Sequence, residues 1–187
     1  MYINFFKVFF DVFWSLVLLI VLSPLLLLVS IILWIIHQSN PLFLQKRVGQ
    51  FGNYFTILKF KTIKADSKPN SFLKFLRKFK IDELPQLINV IKGEMSLVGP
   101  RPDLPGYYDQ LEGENRKILD LKPGITGYAS LKFANEEEIL SQQNDPLKYN
   151  DEVIFPQKVE LNLKYRQEIS FIEDFKILIK TLLLPFK

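Results

Sequence analysis

The dominant feature of the hydropathy pattern is Val12 to Ile36, an unbroken run without a charged residue. A bilayer-crossing helix typically needs about 20 apolar residues, so this run is long enough to cross. It is too long for a signal peptide, no small-residue cleavage pattern follows it, and polar sequence begins directly after it, so it is expected to be retained. Ser23-Pro24 lies at its middle. Proline there removes one helical hydrogen bond and crowds the preceding turn, so a kink is expected, with the serine hydroxyl available to the freed carbonyl. Two arrangements fit this pattern: a kinked spanning helix, or a helix that enters, bends and leaves on the same face.

Alternation replaces helical periodicity from Pro41 to Thr62, which reads as a β-hairpin turning through Gly49-Gln50-Phe51-Gly52. It puts Phe55, Ile57, Lys59 and Lys61 on one face. By spacing alone these lysines are those of a solvated edge strand. After a polar linker from Asp66, Ser71 is the expected cap of a helix with a Phe72, Phe75, Leu76 and Phe79 stripe. A further helix is expected from Leu84, with Leu87, Ile88 and Ile91 at helical spacing and Gly93 ending it in a left-handed turn. Asp82 then falls at or next to its N-cap, and Pro85 fits the first turn. Gly106 to Asp120 is expected to be helical, with Tyr107, Tyr108, Leu111, Ile118 and Leu121 inward. Pro123 to Gly127 reads as a rigid loop, and Tyr128 to Pro156 has no usable period. Lys158 to Gln167 is expected to be helical, and Ser170 to Glu173 has the spacing of a capping box opening a last helix. Its Phe171, Phe175, Leu178, Ile179 and Leu182 face one way, as in a helix lying in a membrane interface.

Composition sharpens this picture at a few points. The net charge of +4 is unevenly spread: Lys59 to Lys80 holds eight Lys or Arg against the single Asp66, whereas Glu136 to Glu160 is mostly acidic. Such a basic patch suits phosphates or anionic lipid. There is no cysteine, which excludes disulfides, thiolate zinc sites and a thiol nucleophile. The only histidine, His37, borders the apolar run, so no Ser-His-Asp or His-metal constellation can form in the polar part. Phosphate-loop and Rossmann fingerprints are absent. Chemistry must therefore rest on carboxylates, cations or a bound metal. The adjacent Asp82 and Glu83, with Lys74, Arg77, Lys78 and Lys80 upstream and Pro100-Arg101-Pro102 downstream, are the candidate centre. An N-cap Asp should be ionised, and carboxylates among fixed cations suit phosphate chemistry. The blander alternative is an ordinary helix start. A non-catalytic membrane scaffold would explain the apolar ends but leave the carboxylate pair without a task, and a basic nucleic-acid binder would need Phe72, Phe75 and Phe79 as a stacking platform despite their helical spacing.

The long string DELPQLINVIKGEMSLVGPRP, Asp82 to Pro102, together with KFKT at Lys59 to Thr62 and PGITG at Pro123 to Gly127, resembles the monotopic phosphoglycosyl transferases, bacterial sugar transferases that start glycan assembly on polyprenyl phosphate. The likeness runs to about Gly127 and returns in the last helix, as in small members carrying only the catalytic unit. It implies a mostly α fold with a small β-hairpin, residues 1–40 forming a re-entrant membrane helix bent at Ser23 and Pro24, and residues 41–187 a catalytic domain at the interface. It further implies the cytoplasmic face of the bacterial inner membrane, a UDP-sugar donor, a polyprenyl (undecaprenyl) phosphate acceptor and Mg2+, with no nucleic acid. Under the resemblance Asp82 is the nucleophile that forms a covalent phosphosugar and Glu83 the magnesium ligand. Lys59, Arg77, Pro100, Arg101 and Pro102 belong to the phosphate site. Where the family usually carries an Asn-Gly-Arg segment after PGITG, this chain has Tyr128 to Asn135, with Ala134 at the arginine position and Lys132 as the candidate replacement.

Overall fold

A computed structural model describes residues 2–63 and 70–186, apart from the Asn4 side chain. Most of the linker expected from Asp66 lies outside the described residues. One π turn, Tyr2–Phe6, leads into α1, Lys7–His37, which contains Pro24. The carbonyl opened by the missing proline N–H is that of Ile20, and the Ser23 hydroxyl donates to it at 2.8 Å. The buried face of α1 comprises Lys7, Asp11 and Ser15 near one end and Val29 and Leu33 near the other, each group at four-residue spacing. Both ends meet the rest of the protein. Asp174 accepts hydrogen bonds from Lys7 Nζ at 2.6 Å, Tyr2 Oη at 2.6 Å and Tyr165 Oη at 2.5 Å, while Ser96 Oγ donates to Asp11 at 2.6 Å. A charge on an apolar helix is costly unless paired, and this cluster supplies the pairing. At the far end Val29 and Leu33 pack with Phe60, Leu73 and Leu76, and His37 Nε2 lies 2.7 Å from the Lys61 carbonyl oxygen. Between these anchors Phe9, Phe13, Ile20, Val21 and Leu27 are exposed.

β1, Leu42–Val48, and β2, Tyr54–Phe60, form the expected antiparallel hairpin, joined through a 3-10 turn at Gln50–Gly52. α2 is Ser71–Lys78, but its cap is Asn70, whose side chain accepts from Phe72 N at 2.8 Å, rather than Ser71. Its buried pair is Leu73 and Leu76, so the core-facing stripe is rotated from the expected one, and Phe75 is half exposed. The helix expected from Leu84 is also corrected. Residues Ile81–Gln86 form a 3-10 helix entered from Lys80 in the left-handed region, and only Leu87–Ile91 is α-helical (α3). Pro85 explains part of this, because it offers no N–H to the Ile81 carbonyl and disfavours α geometry in the residue before it. Asp82 is therefore inside a 3-10 turn and is no N-cap. Gly93 does end the segment with φ +78°.

The loop expected at Pro123 to Gly127 contains a strand. β3, Ser96–Val98, and β4, Gly124–Thr126, pair in parallel, with Ser96 opposite Gly124 and Val98 opposite Thr126. Backbone lies directly on backbone there. A Cβ on Gly124 would fall 2.1 Å from Gly99 N, one on Gly127 2.2 Å from Gly99 O, and one on Gly99 2.4 Å from Lys122 O. Gly106 to Asp120 forms two 3-10 segments, Tyr108–Gln110 and Gly113–Asp120, instead of one helix, with Tyr108, Ile118, Leu119 and Leu121 buried. Helices then follow at Tyr128–Lys132 (α4), Glu136–Ser141 (α5), Pro146–Tyr149 (α6), Phe155–Glu168 (α7) and Phe171–Leu183 (α8). Ser170 caps α8 by accepting from Glu173 N, as its spacing predicts. Ile177 is the fully buried residue of α8, whereas Phe171, Phe175, Ile179 and Leu182 are exposed.

Candidate active site

Three segments converge at the carboxylate pair. Asn89 of α3 locks the first two together: its Nδ2 donates to the Thr56 carbonyl at 2.8 Å and its Oδ1 accepts from Leu58 N at 3.1 Å. That sets β2 against the 3-10 turn, so Lys59 points at Glu83 instead of lying on a solvated edge. The third segment is the Pro-Arg-Pro loop. Pro100 and Pro102 are buried. The Pro100 carbonyl accepts from Gly124 N at 2.8 Å, Asp103 O accepts from Val48 N at 3.0 Å, and Pro102 O accepts from Arg47 Nη1 at 3.3 Å. Arg101 is thereby held between the glycine-packed sheet and the end of β1.

Glu83 is 5% exposed. Arg101 meets it as a fork, with Nη2 2.5 Å from Oε1 and Nη1 3.2 Å from Oε2, and Lys59 Nζ lies 3.2 Å from Oε1. Burial alone would raise its pKa, but the charges of Arg101 and Lys59 outweigh burial and hold Glu83 well below the usual carboxylate range. In return the Glu83 charge raises Arg101. Lys59 is pushed below its ordinary value, first by burial and then by the neighbouring Arg101. Burial also lowers Arg47.

Asp82 differs in every respect. Its Oδ1 is buried and accepts no hydrogen bond among the described residues. Burial, followed by repulsion from Glu83, raises its pKa to about 6. Two consecutive carboxylates are thus driven apart: Glu83 is held charged by its two cations, and Asp82 is pushed up to about 6. Such separation marks division of labour in a site. The N-cap position expected for Asp82 is corrected, while a value of about 6 leaves it mainly ionised at neutral pH, as expected.

Arg77 is not brought to the pair; its guanidinium makes an ion pair with Glu137 of α5. Lys132, the candidate replacement cation, donates to Gln157 Oε1 at 2.8 Å and sits over the Phe133 ring. Asn89 and Arg47 were not picked out by sequence reasoning. The available signals were an amide within an apolar helical stripe and an arginine inside an alternating strand. No group of three or more Asp, Glu or His side chains suited to a metal occurs among the described residues. A magnesium ion that shares substrate phosphates needs only one or two carboxylates. Glu83 Oε1 already accepts from two cations and Oε2 from one, so Oε2 and the unpartnered Asp82 Oδ1 fit that requirement.

Fold and site define a class: a small, mostly helical protein with one long exposed apolar helix and a carboxylate pair fixed among cations. The chain belongs to the bacterial sugar transferase family, whose sequence model matches residues 2–187. It is similar to the uncharacterized sugar transferase EpsL of Bacillus subtilis strain 168, at 36% identity over 154 residues, covering 76% of this chain and 68% of that protein. It is also similar to the undecaprenyl-phosphate glucose phosphotransferase of Komagataeibacter xylinus, at 32% over 194 residues, 92% of this chain and 34% of that protein. Similarity to the UDP-glucose:undecaprenyl-phosphate glucose-1-phosphate transferase of Escherichia coli K12 is 28% over 197 residues, 94% of this chain and 39% of that protein. The chain spans little more than a third of the length of the last two.

Proposed function

We propose that the protein moves a sugar-1-phosphate from a UDP-sugar to polyprenyl phosphate at the cytoplasmic face of the bacterial inner membrane, through a covalent phosphosugar on Asp82. The observation that carries this reading is the buried, unpartnered Asp82 Oδ1 beside a Glu83 paired with Arg101 and Lys59. The names of the K. xylinus and E. coli relatives support the acceptor, and the E. coli name supports a UDP-linked donor. Asp82 attacks the sugar-linked phosphorus; an Asp82 O–P bond forms and the bond to the bridging oxygen breaks, so UMP departs with that oxygen. An oxygen of polyprenyl phosphate then attacks the same phosphorus and releases Asp82. Glu83 keeps Arg101 and Lys59 fixed, so that their donors meet phosphate oxygens without rearrangement. Bound magnesium, held through Glu83, would supply charge neutralisation of the diphosphate.

The test uses a donor labelled in the sugar, incubated with magnesium but no lipid acceptor, then quenched for intact-mass measurement. A sugar-phosphate adduct with up to about one equivalent of UMP is expected. Neither adduct nor UMP in this mixture, with UMP and lipid product both appearing once polyprenyl phosphate is added, would instead favour direct attack by the lipid phosphate in a ternary complex.

Membrane placement follows the same reading. An end of a helix crossing the roughly 30 Å hydrocarbon layer would leave the rest of the protein, whereas both ends of α1 are bonded to it. The exposed apolar residues of α1 and α8 support an entry and exit on one face. Because the chain lacks cysteine, one cysteine added ahead of Tyr2 reports on this directly. A membrane-impermeant maleimide should label it only after permeabilisation, and labelling in intact cells would mean that α1 spans.

A further inference from the structure

The acidic first turn of α5 lies across the rim of the site. Glu137 pairs with Arg77 of α2 on one side, and Glu136 Oε1 lies 2.7 Å from Lys158 Nζ of α7 on the other. Glu136 is also near enough to Arg101 and Asp103 to raise the pKa of both, and Lys158 near enough to Asp103 to lower it. No residue of α5 is buried. The segment is therefore held by charge more than by apolar packing, through one half-buried pair, Glu136–Lys158, and one exposed pair, Glu137–Arg77, of the kind that is individually weak. Its carboxylates occupy two cations in the way that phosphate oxygens would.

We propose that α5 is an anionic strap over the outer cations of the site, and that a diphosphate-bearing donor binds by displacing Glu137 from Arg77 and Glu136 from Lys158, which makes Lys158 a donor-binding residue. This rests on the donor reading given above. It explains why Arg77 points to α5 in the free protein. Displacement exchanges two carboxylates for one diphosphate, so the strap taxes every anionic ligand and sets a threshold that a single phosphate meets less well than a diphosphate.

The probes are UDP and inorganic pyrophosphate, each titrated with magnesium into the full chain in detergent, with thermal melts checking that every variant is folded. Glu136→Gln with Glu137→Gln should bind both probes about three- to tenfold more tightly than the parent. Glu138→Gln, on the same turn, measures the general effect of removing a nearby negative charge and should give a clearly smaller gain. Lys158→Gln should weaken binding and abolish the gain from Glu136→Gln. Parent binding that the paired variants do not strengthen beyond Glu138→Gln overturns the strap while leaving the donor site standing, as does a Glu136→Gln gain that persists without Lys158. Binding of neither probe by parent or variants overturns the donor reading and the strap with it.

Discussion

Asp82→Asn is expected to leave a protein that is folded, at least about a thousandfold less active, and more stable than the parent. The activity loss follows from removing the carboxylate proposed to attack phosphorus while keeping its size. The stability gain follows from linkage. The folded-state pKa of Asp82, about 6, lies above its ordinary value of 3.8, so folding disfavours the charged form. That cost is absent below about pH 4, grows between pH 4 and 6, and is complete above 6. Asparagine has no such titration, so its advantage should be on the order of 2 kcal/mol at pH 7.5 and vanish near pH 4. Thermal melts of both proteins across this range check the sign. A variant less stable than the parent at pH 7.5 would mean that the carboxylate is favourably held. Parent kcat/KM should also fall as pH drops through 6, because the free enzyme then protonates Asp82, the proposed nucleophile.

Glu83→Ala should have the largest effect on the fold. It leaves Arg101 and Lys59, converging on a site only 5% exposed, without their shared counter-charge. Breaking a buried pair from one side typically costs about 3–5 kcal/mol. A fall of about 10 °C in thermal midpoint is expected for a chain of this size, together with loss of turnover. Glu83→Gln keeps the shape and one acceptor, so it should lose less stability and nearly as much activity. The pH dependence is opposite to that of Asp82. The folded pKa of Glu83 is depressed, so its contribution is complete above its ordinary value of 4.5 and is lost as pH falls towards the folded value. The stability difference between parent and Glu83→Gln should therefore narrow in acid. A difference that widens there would rule out the counter-ion role.

Elements whose signal is local were legible in the sequence. The β1–β2 hairpin followed from alternation and the Gly49 to Gly52 turn, the left-handed turn from Gly93, and the start of α8 from Ser170 and Glu173. The Asp-Glu pair and the Pro-Arg-Pro loop stood out as candidates, but their environment did not. Asp82 was expected at or next to a helix N-cap; it lies instead inside the 3-10 turn around Pro85, where its Oδ1 has no partner among the described residues. The β3–β4 pair escaped because three-residue strands show no period, and their partner is defined by glycine backbones in contact across the pair. The cluster joining Lys7 and Asp11 to Ser96, Tyr165 and Asp174 escaped because its members lie up to 167 positions apart. One trace of it was readable: a lysine and an aspartate four residues apart on an apolar helix need partners somewhere.

The contact among Gly99, Gly124 and Gly127 has a consequence for how such a protein can change its specificity. The three positions have no room for even a methyl group, so the loop carrying Arg101 cannot be retuned by substitutions in the sheet beneath it. The half of the site that rests on these glycines is mechanically closed to innovation. Further along the chain, at Lys132, Ala134, Asn135, Glu137 and Glu138, side chains face solvent, so replacements there cost little stability. A lineage adapting to a new sugar would then keep its chemistry as a rigid cassette and vary the strip of chain that follows it, and directed evolution on this scaffold has most to gain by randomising that strip first.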